Sequence, residues 1–416
     1  MFKNHPITIA KLALIGLAAA FVVWRVVAIN ISELLVQGDE PNAATQALLW
    51  DASRADALYL EALRSAKENS GQSSTLLKSA VRSNPADGPS YAAIARIHEA
   101  GGDLKTAENA IETAVRMAPQ RVDVQYEAAG FWMRRSDIPR AMKHLNVVLT
   151  YGDSLRRELF PDLLKLAEDP ATREATFSGL LLQPLVWWTD FFSYAAGNAT
   201  HIDTLRALSA MQASGPNPMP PASLRAYLER LQKEGLWIDA YITWLNSLRK
   251  DQLNAIGNLF NGDFETEISN KGFDWIITPS SQAVVETAST HGANGSKALR
   301  VLFRGPRIQF QNLRQHLMLD PGNYLLRGRV RPDHLEATKG VRWSIYCHGQ
   351  ATPLASSETF RGSDHWTHFS VLVEIPRQDC AVQTIRLELA GRSALDFEAK
   401  GAIWFDDLSL TRQRLD

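Results

Sequence analysis

The sequence predicts a multidomain chain, α then β: an apolar N-terminal helix that crosses a membrane, an α-solenoid, and a C-terminal antiparallel β-sandwich. Three observations carry this reading. A run of uncharged apolar residues lies near the N-terminus, a repeat of 34 residues runs through the helical half, and from Asn258 onward the hydrophobic period shortens from that of a helix to that of a strand. These parts are placed at 1–32, 45–252 and 256–416. A chain of 416 residues has room for them, and 45% hydrophobic with 21% charged residues is ordinary for a globular protein. A formal net charge of −1 gives no push toward nucleic acid.

The N-terminal run is "LALIGLAAAFVVW", residues 12–24, preceded by Lys3 and Lys11 and interrupted by Arg25. The uncharged stretch is short for a bilayer. With Lys11 and Arg25 snorkelling toward the interfaces, a helix over about 7–29 still crosses one. The competing reading is a cleaved signal peptide ending at Ala18, Ala19 and Ala20. Basic residues ahead of the run and "SELLVQGDE" behind it favour a cytoplasmic N-terminus. The bulk of a single-pass protein of the bacterial inner membrane would then lie in the periplasm.

The helical half repeats without gaps. Residues 85–118 align with 119–152, matching Pro85 to Pro119, Ala95 to Ala129, Asp103 to Asp137 and Ala107 to Ala141. The small residues fall where two antiparallel helices must approach closely, and proline follows each second helix. The same register is predicted backward at Leu77 and Ala80, and forward at Gly235, Ala240 and Trp244. This pattern resembles the tetratricopeptide repeat family, although the early large aromatic is present only as Tyr91. The resemblance implies a concave surface for a protein partner. "LLLQPLVWWTDFFSYAA", 180–196, is apolar enough to suggest a second span, but Pro184 and Asp190 favour a helix buried inside the solenoid.

Strand candidates follow at 297–303, 308–313, 323–332, 341–349, 365–376, 384–392 and 402–412, separated by turn sequences such as "DPGN", "RGSD" and "HGANGS". "NGDFE…GFDW", "GSKALRV", "HWTHFSVLVEIP" and "IWFDDLSL" occur in that order. Together they resemble carbohydrate-binding modules of the family 4/9/22 type, galactose-binding-like jelly rolls, over about 258–412. That resemblance implies a structural calcium held by Glu265, a carbonyl near Ser296 or Lys297, and Asp407, tying the two ends of the domain together. Without the ion, Glu265 and Asp407 would only cap turns.

The acids of "NGDFETE" do not read as catalytic. Asp263 and Glu265 alternate along an extended segment, Asp406 and Asp407 point to opposite faces of a strand, and G-x-S-x-G, H-E-x-x-H and P-loop motifs are absent. Sugar binding calls for aromatic faces and planar polar groups. In "VRWSIYCHG" alternation sets Val341, Trp343, Ile345 and Cys347 on one face and Arg342, Ser344, Tyr346 and His348 on the other. The second face is predicted to be open, with Tyr346 stacking and Arg342, His348, Gln309 and Arg329 supplying hydrogen bonds. Trp275 is a further ligand candidate, Trp366 reads as core, and His316 reads as surface. Cys347 and Cys380, the two cysteines of a chain read as exported, suggest a disulfide.

The economical function joins these parts: a non-catalytic, membrane-anchored scaffold with a protein partner on the solenoid and a glycan on the sandwich, as in exopolysaccharide synthesis or export. The alternatives are a protein-only envelope assembly factor with a structural sandwich, and a polysaccharide-modifying enzyme.

Overall fold

The computed structural model describes residues 6–38, 40–66, 69–254, 256–305, 308–391 and 394–413. Lys3 and the predicted strand end at Arg392 lie outside them. The chain forms two compact units, Met1–Met219 and Pro220–Asp416.

The first unit opens with one helix, Pro6–Val36, long and apolar enough over Lys11–Val36 to cross a membrane. Paired helices follow: Ala55–Ser65 with Ser70–Ser83, Gly88–Ala100 with Leu104–Met117, and Val122–Met133 with Ile138–Tyr151. The repeat read from the sequence is visible in its caps. Asp103 accepts from the Thr106 amide, and Asp137, in the same place one repeat on, accepts from the Arg140 amide. The turn before each cap needs a left-handed residue. Gly102 supplies it at φ 80° and Ser136 at φ 57°. Ala95, Ala107, Ala129 and Ala141 are buried where the helices of each pair meet. Size is exchanged at the start of each pair. Gly88 faces Ala118, whose Cβ a side chain at 88 would meet at 2.6 Å, whereas Val122 faces Gly152.

The apolar stretch at 180–196 enters the helix Trp188–Asn198. Trp187, Trp188, Phe191 and Phe192 are buried there among Phe160 and Phe177, with Phe177 and Phe191 stacked at 5.5 Å. Aromatic packing inside the solenoid accounts for its hydrophobicity.

Before the sandwich, the second unit has the helices Pro221–Lys233 and Trp237–Asn246 and a short helix, Lys250–Asn254. Its strands are β1 (Ile276–Ile277), β2 (Ala283–Ala288), β3 (Ala298–Arg304), β4 (Leu313–Leu317), β5 (Gly322–Ala337), β6 (Val341–Cys347), β7 (Pro353–Ser356), β8 (Thr367–Ile375), β9 (Gln383–Leu389) and β10 (Ala399–Arg412). One sheet has the order β1-β4-β9-β6-β7 and the other β2-β3-β10-β5-β8, with antiparallel pairing in both. Between them lies a core built on Trp275, Trp343, Phe405, Phe303 and Phe310. Trp343 sits 5.5 Å from Trp275 and 5.2 Å from Phe405.

The helices of this unit pack on the sandwich. Trp244 is buried against Phe260 and Phe273, and Gly272, at φ 63°, leaves room for its indole. Gly235, expected in solenoid register, takes φ 76° in the turn of a helix pair as Gly102 does, and that pair, with Ala240 and Trp244, falls in the second unit. Cys347, at the end of β6, is bonded to Cys380, with Cα atoms 4.9 Å apart.

The predicted strand at 308–313 does not form. Ile308 donates its amide to the Phe397 carbonyl and Phe310 to Ile308, so these groups are spent on loop contacts. The ladder begins at Leu313 instead.

Candidate functional site

Alternation along three strands builds one polar surface. On the first sheet Leu313, Gln315, Trp343, Ile345, Ile385 and Leu387 point inward and are buried. Their neighbours form cross-strand rows on the outer face. Arg314 lies opposite Arg386, which lies opposite Ser344 and then Ser356. His316 lies opposite Thr384, which lies opposite Tyr346, and Glu388 lies opposite Arg342.

Glu388 is the hub. It is buried and accepts from Arg342 Nε at 3.1 Å, Ser344 Oγ at 2.8 Å, the Tyr346 hydroxyl at 2.9 Å and Arg386 Nε at 2.7 Å. Burial would raise its pKa, but the hydrogen bonds from Ser344 and Tyr346 and the charge of Arg386 hold it below the usual value. Burial and the Glu388 hydrogen bond push the Tyr346 phenol up. Arg386 also reaches Gln311. The surface thus sets two guanidiniums, Arg342 and Arg386, on one carboxylate, with Arg314 opposite Arg386 in the next strand.

At one end of this face the helix Trp237–Asn246 contributes an aromatic edge. The Trp237 ring is 4.6 Å from His348 and 5.3 Å from His316, and the two imidazoles are 5.2 Å apart. Burial chiefly, with His348 and Arg314 adding positive charge, lowers the His316 pKa to about 4. Burial, then Arg314, lowers His348 as well.

The residues singled out in the sequence separate on this map. Arg342, Tyr346 and His348 share the outer face of the first sheet. Tyr346 is no stacking platform: it is only 4% exposed, and the Arg386 guanidinium lies over its ring at 3.8 Å. Trp275 is fully buried, donates its indole N–H to the Asn261 carbonyl and packs on Trp343, so it is core. Gln309 lies on the loop before β4, not on a strand. Arg329 belongs to β5 in the opposite sheet and turns to Asp406, Asp407 and the Gly292 carbonyl. His316 is half-buried rather than surface.

Trp366 is not core. It is half-buried on that opposite sheet, with Arg329 and Arg331 at 5.0 and 5.5 Å from its ring and its indole N–H on the His291 carbonyl. Arg386 and Glu388, which organise the site, were not singled out. Their signal was the alternation of Thr384, Arg386 and Glu388 in "TIRLEL".

The expected calcium position has its own geometry. Glu265 accepts from the Ser296 amide, the Lys297 amide and the Ser296 hydroxyl. These bonds, the Ser296 hydroxyl foremost, lower its pKa. Lys297 thus offers an N–H, the wrong polarity for a cation. The Asn294 amide side chain donates to Asp407, and Arg329 Nη1 lies 3.6 Å from the same carboxylate. Donors and a guanidinium already satisfy both acids, and among the described residues no group of three His, Cys, Asp or Glu is placed to hold a metal ion. As arranged, these residues do not fit calcium. The clasp is closed by backbone instead: the Leu408 amide donates to the Gly262 carbonyl at 2.8 Å.

No family model and no curated protein matches this chain. Among solved structures it is similar to a CBM4 carbohydrate-binding module, at 15% identity over 37% of this chain and 99% of that one, with a TM-score of 0.29. It is similar to TmCBM61 in complex with β-1,4-galactotriose, at 18% identity over 38% and 100%, TM-score 0.25. It is also similar to PilF of Pseudomonas aeruginosa, at 16% identity over 48% and 79%, TM-score 0.24. At these scores the likenesses carry no argument of their own. The class defined by the helix pairs and strand order is a helical-repeat protein with an apolar N-terminal helix and an antiparallel two-sheet sandwich.

Proposed function

We propose that this protein is a membrane-anchored, non-catalytic periplasmic scaffold that binds a glycan on its sandwich and a protein partner on its solenoid, in exopolysaccharide synthesis or export. The observation that carries the glycan half is the outer face of the first sheet. Glu388 holds the guanidiniums of Arg342 and Arg386, and with Arg314 beside them guanidiniums outnumber carboxylates three to one. Such a face suits paired hydrogen bonds to hydroxyls and carboxylates, so the ligand class is an acidic polysaccharide. With the Tyr346 ring covered, recognition rests on these polar groups and on the Trp237 edge.

For the protein partner, the solenoid offers a 660 Å³ cavity lined by Tyr126, Met133, Leu159, Leu163 and Leu166, with Arg96 and Glu127 beside them. An apolar peptide segment with mixed charges fits that lining.

Affinity electrophoresis of the folded full-length protein tests the glycan half. The expected result is retardation in polygalacturonate, little in dextran, and loss of retardation in Arg314→Ala. Retardation in dextran alone would overturn the acidic class, and retardation in neither would overturn the glycan reading.

A further inference from the structure

We infer that the first helical hairpin, made by the helix Ala43–Trp50 and the turn after it, is seated in the interfacial layer of the membrane, with Leu49 and Trp50 against the lipid. This rests on the reading of Pro6–Val36 as a membrane anchor. That helix is unbroken through Arg25. From Pro6 to Trp24 it rises about 28 Å, at about 1.5 Å per residue, close to the roughly 30 Å of the hydrocarbon core. Trp24 and Arg25 then fall at the headgroup level, where tryptophan and snorkelling arginine are favoured.

The hairpin is fastened at that level. Trp50 lies against Trp24 with ring centroids 5.7 Å apart, and Asp51 faces Arg25 at 3.6 Å. One turn and two turns further along the anchor, Ala28 and Ser32 are buried, and Ser32 donates its hydroxyl to the Ala47 carbonyl at 3.0 Å. Arg54 returns to the Ile29 carbonyl and to Glu33, so the chain leaves the membrane side directly after the turn. The tip nearest Trp24 is therefore residues 49–53.

What this tip presents is apolar. Leu49 is 83% exposed, Trp24 56% and Trp50 38%, and Val26 and Val27 of the anchor are exposed beside them. In water this would be a contiguous hydrophobic patch with nothing to cover it. A bilayer interface covers all of it at once, because the patch is continuous with the apolar span and its indoles suit the headgroup region. The Arg25–Asp51 pair supplies the polar side. The solenoid is thus held down by a second contact and does not swing from the anchor as from a flexible tether.

Nitroxide depth measurement tests this in the full-length protein reconstituted into phosphatidylethanolamine–phosphatidylglycerol vesicles. Both native cysteines are in the disulfide, so Leu49→Cys, Leu17→Cys and Leu104→Cys each carry one label. Leu104 is an exposed solenoid position and Leu17 lies mid-span. The expected result is that the label at 49 is several-fold less accessible to a water-soluble nickel chelate than the label at 104, and more accessible to oxygen, though less so than at 17. Equal accessibility at 49 and 104, with 17 shielded, would overturn the seated hairpin and leave the anchor standing. Water access at 17 would overturn both.

Discussion

Replacing His316 with glutamine should remove a pH-dependent loss of stability from the sandwich unit. The imidazole packs between Trp237 and His348, with Nδ1 3.2 Å from the Thr384 hydroxyl. Burial, His348 and Arg314 bring its pKa to about 4, from an ordinary 6.5. The folded form therefore binds the proton less well than the unfolded chain. Stability from this site is complete above pH 6.5 and is lost as the pH falls toward 4. The separation, at about 1.36 kcal/mol for each tenfold in proton affinity, amounts to about 3 kcal/mol, of which about 2 is gone by pH 5. His348, lowered in the same direction, adds to the trend. Urea unfolding of the second unit, followed from pH 7.5 to 5 in wild type and His316→Gln, measures it. Carboxylates titrate in both proteins and cancel in the difference, while the glutamine can still reach Thr384. Parallel stability curves for the two proteins would refute the reasoning.

Ser136→Gly should stabilise the solenoid by about 1 kcal/mol in thermal or urea melts, because Ser136 holds the left-handed conformation that Gly102 adopts one repeat earlier. Glu388→Ala should cost about 3 kcal/mol in the unfolding of the second unit, since it strands two part-buried guanidiniums, the Ser344 hydroxyl and the Tyr346 hydroxyl. Gly262→Ala should prevent the clasp from closing. The new Cβ would lie 2.8 Å from the Leu259 side chain and still closer to the Leu408 carbonyl, so the melting midpoint should fall sharply or soluble protein be lost. Melting in calcium and in chelator should give the same midpoint, because Glu265 is already satisfied by N–H and O–H donors; a rise with calcium would mean that the loop at 294–297 rearranges to turn carbonyls inward.

The fold was legible because its two periods are strong and long. Asp103 and Asp137 cap equivalent helices, and the alanines of the repeat sit where helices touch. Alternation in "VRWSIYC" assigns faces correctly because the inward residues, Val341, Trp343, Ile345 and Cys347, are all apolar. The strand β4 was displaced toward "IQFQNL" because the apolar pattern of 308–313 reflects Phe310 entering the core from a loop, and pattern alone does not reveal where the amides go. β2 and β7 are mostly part-buried along their length, and their alternation is correspondingly weak.

The site was less legible for a different reason. Periodicity tells which face of a strand a residue occupies, not which neighbour in space covers it. Tyr346 was placed on the outer face, where it is, but Arg386 comes from a strand some forty residues along and lies over its ring. Trp275 sat in a sequence rich in acids and glycine, yet those residues fold the segment inward and use its indole to tie Asn261 to the core. The same physics describes the acids of this segment. Of the acids flanking the clasp, Glu265 is occupied by loop amides, Asp407 by Asn294 and Arg329, and Asp406 is buried, accepting the amides of Asn294 and Asp407. Burial pushes the Asp406 carboxyl up, with the neighbouring Asp407 charge in the same direction, and its hydrogen bonds and Arg329 oppose this. A glycosidase needs two carboxylates flanking a shared space in which a sugar can lie. Here Glu265 and Asp406 each accept from donors of the 294–297 loop, so the acids tie the start of the sandwich and its last strand to that loop.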